Sequence, residues 1–178
     1  YIKIIDIIWW LFIVTTAFIY YLSEMYTRHY LFFIFATLSA TFLFVRLFMI
    51  KFETKASVLY LTIQIFILSI LIRSTAYFVS PYYIGSDPWA HAEYINYFMN
   101  FHALTVPTGF SSYYLSYTMS HLISIETSLL SNLSIHEALF VLSIILTFST
   151  IFVFLIVILL TGNCNIALLS MLLLNLAD

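Results

Sequence analysis

Apolar positions run along this chain in long, nearly charge-free stretches at 4–22, 30–50, 57–79 and 138–160, with a further one opening at Ile166. Each complete stretch is close to the ~20 residues that an α-helix needs to cross ~30 Å of hydrocarbon. Strands of that length have no precedent in ordinary sheets, so the Phe and Ile enrichment reads as helical. The pattern predicts three spans within 1–79, a polar interlude over 80–136, a fourth span at 138–160 and the start of a fifth over 166–178. The chain opens at Tyr1 and stops inside an apolar run, so we expect it to belong to a longer protein. No small-residue cleavage site follows the first run, which favours a retained span over a signal peptide.

Composition strengthens that reading. Of 178 residues, 63% are hydrophobic and 8% charged, whereas soluble domains carry about 25% charged residues. The fold class predicted is therefore all-α: a polytopic transmembrane helical bundle with interfacial helices in a long external loop. Five of the six Lys and Arg precede residue 56, and Arg46, Lys51 and Lys55 cluster at the second connection. The positive-inside rule makes that connection cytoplasmic, and Lys3 agrees while Arg28 dissents. Alternation then places 80–136 outside a cell membrane, and no Lys or Arg falls in that stretch. Cys164 is the only cysteine, which excludes an internal disulfide and a Cys-rich metal knuckle. Residues 74–178 hold no basic side chain, so nucleic-acid binding lacks its electrostatic basis. Walker, dinucleotide, Gly-x-Ser-x-Gly and His-Glu-x-x-His patterns are absent from the sequence.

Candidate chemistry concentrates in the polar interlude, which with its edges holds all three prolines, four of the five histidines and four carboxylates. Gly85-Ser86-Asp87-Pro88-Trp89-Ala90-His91 reads as a helix start, with Asp87 as cap, Pro88 at the first helical position and the helix running to about Phe101. On that helix Glu93, Asn96 and Asn100 share one face, and His91, Tyr94, Phe98 and Phe101 the other. Asp87 and His91, one turn apart, reach a common point. On spacing alone a plain cap is the more ordinary account of Asp87, and backbone pairing at the interface is that of His91, His102 and His136. Glu126 lies about 140° from His121 on a helix, which argues against a shared metal. Asn132-Leu133-Ser134 is a glycosylation triplet of the kind that arises by chance.

The stretch from Arg73 through Gly85–His91, Pro107, Tyr113, Tyr114 and Tyr117 to His121 resembles the first large external loop of GT-C class membrane glycosyltransferases. It is most similar to prokaryotic, archaeal-like members with a Gly-x-Asp-x-Trp-x-His pattern. The similarity covers roughly residues 70–160, and its specific core is Asp-Pro-Trp-x-His. In most of the class this loop follows the first span; here it follows the third. The resemblance implies a sugar donor linked to a polyprenyl phosphate, a membrane-lipid environment, and an acceptor that the sequence does not name. It implies that Asp87 acts as base or as ligand of a divalent cation, assisted in either role by His91. Arg73, about 9 Å inside its span, would meet donor phosphate or snorkel to the surface. Glu93 and His121 are the remaining candidates for substrate contact. A transporter or flippase for a lipid-linked or polar solute, and a structural membrane subunit, are the alternatives from other classes.

Overall fold

The computed structural model describes residues 2–23, 29–49, 54–78, 86–101 and 118–177, and all regular structure among them is helical. Eight helices follow in order: α1 (Ile2–Leu22), α2 (Tyr30–Met49), α3 (Lys55–Phe78), α4 (Ser86–Phe101), α5 (Thr118–Ser131), α6 (Ile135–Ser149), α7 (Ile151–Thr161) and α8 (Cys164–Ala177). Four segments are long and apolar enough to cross a membrane: Ile4–Leu22, Tyr30–Phe48, Lys55–Thr75 and Ile135–Thr161. The protein is an all-α helical bundle of membrane-spanning character. Large side chains such as Ile7, Leu11, Phe18, Leu155 and Leu159 are exposed on it, and α7 buries none of its residues. Hydrocarbon rather than water is the solvent that such faces fit.

Contacts divide the chain into two compact units, one of residues 1–75 with 146–178 and the other of residues 76–145. These boundaries cut through α3 and α6 instead of falling in the connections that the hydropathy pattern marks. In the first unit α1 packs on α2, α2 on α8 and α7 on α8. Its core joins Trp9 and Ile13 of α1, Leu43 and Leu47 of α2, Leu61, Ile65 and Leu68 of α3, and Leu168, Met171 and Leu172 of α8. In the second unit α4 packs on α5.

The fourth apolar run is not one uninterrupted helix. Between α6 and α7, Ser149 and Thr150 donate their hydroxyls to the carbonyls of Leu146 and Thr147 at 2.7 Å each, and the Thr150 N–H bonds Thr147 O at 3.3 Å. Such three-residue closures tighten the turn and compete with the regular ladder, which hydropathy does not register. The other ends follow familiar grammar. Ser134 and Glu137 form a reciprocal capping box before α6, with Ser134 N–H and Oγ–H both donating to Glu137 Oε2 at 2.8 Å. Gly162 closes α7 in the left-handed region at φ 63°, donating its N–H to Ile158 O. Asn163 Oδ1 then accepts from the Asn165 and Ile166 N–H groups as α8 starts.

Candidate functional site

α4 begins at Ser86, so Asp87 and Pro88 lie inside its first turn, slightly earlier than a helix capped by Asp87 would place them. A proline fits there because first-turn N–H groups lack intrahelical partners. The side chains of 86–88 lie outside the described residues, as do His102 and the Tyr-rich stretch around Tyr113, Tyr114 and Tyr117. Further along α4 the expected division of faces holds in most positions. Ala92, Tyr94, Ile95 and Phe98 are buried, whereas Glu93, Asn96 and Asn100 are exposed. Phe101, placed by periodicity with the apolar face, is 66% exposed at the end of the helix.

α5 supplies the partner for this face. His121 is 1% exposed, and its Nε2 lies 2.7 Å from Nδ1 of half-buried His91, thirty residues earlier. The Tyr94 ring lies parallel to the His121 imidazole, with centroids 5.6 Å apart and 3° between planes. Phe98 presents its ring at 62° and 5.9 Å. Aromatic surfaces thus fill the space around one ring nitrogen pair. Burial first, and the neighbouring His91 charge second, push the His121 pKa down to about 4, so His121 is neutral near neutral pH. Burial also pushes the Tyr94 phenol up, which leaves that group protonated. Nδ1 of His121 is buried and has no hydrogen-bond partner among the described residues.

The remaining candidates are dispersed. Glu93 is exposed beside Asn96 and Asn100, and Glu126 is exposed on α5, in keeping with its angular separation from His121. Arg73 is half-buried on α3 and belongs to the first unit, whereas both histidines belong to the second. His136 Nε2 meets Tyr77 O at 2.7 Å, the backbone pairing expected of an ordinary interfacial histidine.

A divalent cation fits the described donors poorly. Two imidazole nitrogens bound to one ion at 2.0–2.1 Å stand roughly 3 Å or more apart, and the facing nitrogens of His91 and His121 are closer than that. Among the described residues no group of three or more His, Cys, Asp or Glu side chains is arranged to hold a metal.

Sequence reasoning missed a second polar cluster, in the spanning unit. Arg46 is 4% exposed and ion-paired with Asp6 of α1, and its Nη1 also donates to Gln64 Oε1 of α3 at 3.0 Å. The Tyr60 ring lies 5.6 Å from the same guanidinium, and the Tyr60 hydroxyl accepts from Trp10 Nε1 at 2.7 Å. The available signal was positional: Asp6 lies just inside the first run and Arg46 just before the end of the second, so alternating spans put both near one membrane face. Arg46 is therefore held within the helix pack, while Lys55 remains exposed at the start of α3.

Fold and apolar surface together define a multi-spanning helical membrane protein. Comparison with known proteins finds no matching family model, no matching curated protein and no matching solved structure.

Proposed function

We propose that this protein is a membrane glycosyltransferase of the GT-C type, transferring a sugar from a polyprenyl-phosphate-linked donor to an acceptor hydroxyl at the outer membrane face. The observation that carries the reading is the start of α4 at the Gly85–His91 pattern together with the contact of half-buried His91 with buried His121. Asp87 stands one helical turn before His91 on that element. In the reaction the acceptor oxygen forms a bond to the anomeric carbon, and the bond from that carbon to the phosphate oxygen breaks. The electron pair leaves with the phosphate, and the Asp87 carboxylate takes the hydroxyl proton as the glycosyl bond opens. The Arg73 guanidinium suits the phosphate that gains charge.

A second reading is a transporter or flippase. Its support is the Asp6–Arg46–Gln64 cluster, since ionisable groups inside spans commonly mark solute or proton pathways.

The test is Asp87→Asn in the full-length protein, assayed for transfer from a polyprenyl-phosphate donor in sealed right-side-out vesicles with an impermeant acceptor. Asn matches Asp in size and is tolerated at a helix start but is a far weaker base, so we expect a folded protein with turnover lowered about a hundredfold or more. Full activity in Asp87→Asn would end the proposal. Wild-type activity confined to inside-out vesicles would reverse the assigned face.

A further inference from the structure

We propose that His121 is a positioning residue that holds His91 in the tautomer protonated on Nε2, so that His91 offers an N–H to an anionic oxygen and does not serve as a metal ligand. Nδ1 of His91 and Nε2 of His121 are 2.7 Å apart, which requires one proton between them, donated by one ring and accepted by the other. Hydrogen positions follow from the surrounding network rather than from the heavy atoms alone.

Two arrangements satisfy the contact. In the first, His91 donates from Nδ1, and neutral His121 must then carry its own proton on Nδ1. That nitrogen is buried and has no acceptor among the described residues. In the second, His121 donates from Nε2 and leaves only a bare lone pair at the buried Nδ1. Buried N–H groups without acceptors are the rarer defect in native proteins, so the second arrangement prevails. His121 is locked into place for this task by the parallel Tyr94 ring and by α4–α5 packing. With Nδ1 accepting from His121, neutral His91 carries its proton on Nε2. The outward consequence rests on the transferase reading: an N–H at Nε2 supports charge on a phosphate or carboxylate oxygen, whereas ligation would need a free lone pair there. Sequence spacing alone paired His91 with Asp87 and left His121 as a substrate contact, so this role for His121 emerges only from the α4–α5 contact.

The test is nitrogen NMR of the full-length protein labelled with 15N-histidine in detergent micelles, with His91 and His121 signals assigned from single substitutions. Expected in the wild type is one tautomer for both rings, with pyrrole-type Nε2 and pyridine-type Nδ1. A His91 protonated on Nδ1 overturns the proposal. His121→Phe keeps the aromatic volume beside Tyr94 but removes the donor, so His91 should lose its single tautomer and show exchange between both forms. His121→Gln places an amide nitrogen near the former Nε2 and should restore the single form. A His91 tautomer unchanged in His121→Phe overturns the positioning role, even if the wild-type tautomer is as expected. The NMR readout needs no turnover, so a wild type without transferase activity removes the functional reading and leaves the tautomer result standing.

Discussion

The spanning unit and the α4–α5 unit handle buried polarity in opposite ways. Between α1, α2 and α3, the charge of Arg46 is cancelled by Asp6 and extended to Gln64. Between α3 and α8, Ser69 donates to Asn175 Oδ1 at 3.1 Å, and Asn175 donates to Thr150 Oγ1 at 2.9 Å. Asn165 on α8 donates to Leu47 O of α2 at 2.7 Å. These contacts join separate segments of the unit, and Trp9 Nε1, Arg46 Nε and Gln64 Nε2 are buried side-chain N–H groups near them without a hydrogen bond among the described residues. The α4–α5 unit buries His121 as a neutral imidazole against half-buried His91 and keeps one ring nitrogen without a hydrogen-bond partner among the described residues. Polarity in the first unit is consumed in holding helices together; polarity in the second is organised around a ring that can gain a proton.

The largest expected effect breaks the first half of that comparison. Arg46→Met leaves the Asp6 carboxylate without its guanidinium in a low-dielectric setting, and breaking a buried pair typically costs 3–5 kcal/mol. Asp6 is itself 21% exposed, which relieves part of that cost, so we expect a loss of about 3 kcal/mol in unfolding from detergent. The double variant Asp6→Leu with Arg46→Met removes both charges and should recover most of the loss, because apolar replacements of buried pairs are often neutral. A loss below about 1 kcal/mol in Arg46→Met would show that the pair does not hold α1 to α2 and α3.

Acid sharpens the second half. His121 has an ordinary pKa of 6.5 when unfolded and about 4 when folded, depressed by burial and then by His91. Between those values the unfolded chain binds more protons than the folded one, so stability falls as pH drops from about 6.5 toward 4 and is flat above that window. The full effect is at most roughly 3 kcal/mol. Hydrogen exchange of α4 and α5 amides between pH 4 and 7, corrected for intrinsic rates, should show protection lost on the acid side in the wild type. In His121→Phe the His121 contribution disappears. An equal acid loss in that variant would assign the sensitivity to other groups.

What was legible in the sequence follows the strength of the physical signal. Hydropathy located α1, α2 and α3 to within a few residues, because twenty apolar side chains outweigh any local preference. The turn chemistry of Gly85 to Pro88 announced α4, and its polar face emerged from Glu93, Asn96 and Asn100. The break at Thr150 was hidden, since hydroxyl groups that bond back to their own carbonyls leave hydropathy unchanged. Arg46 was read as part of a cytoplasmic charge cluster because its neutralising partner lies forty positions away. His121 was legible as a candidate, but its partner was not. A helix of known face still leaves undetermined which neighbour packs on it, and the contact between α4 and α5 supplies that information.

The smallest effect separates charge from mere polarity inside the spanning unit. Asn175 is 3% exposed and links Ser69, Thr150 and the Met171 carbonyl through both ends of its amide. Asn175→Leu keeps the volume but leaves the Ser69 hydroxyl without its acceptor. Thr150 loses less, because its hydroxyl still donates to Thr147 O. Hydrogen bonds between spanning helices average about 0.6 kcal/mol, and one buried hydroxyl left without its partner adds about 1 kcal/mol. The expected loss is therefore roughly 1–2 kcal/mol by unfolding in detergent, clearly below that of Arg46→Met. Adding Ser69→Ala to Asn175→Leu removes the orphaned group and should return part of the loss, since deleting both partners of a bond costs less than deleting one. If Asn175→Leu destabilises as strongly as Arg46→Met, the α3–α8 network and not the ion pair is the principal tie in this unit. If the Ser69→Ala addition instead deepens the loss, then the serine hydroxyl has a partner other than Asn175, and the polar contacts of this unit are not spent in pairs.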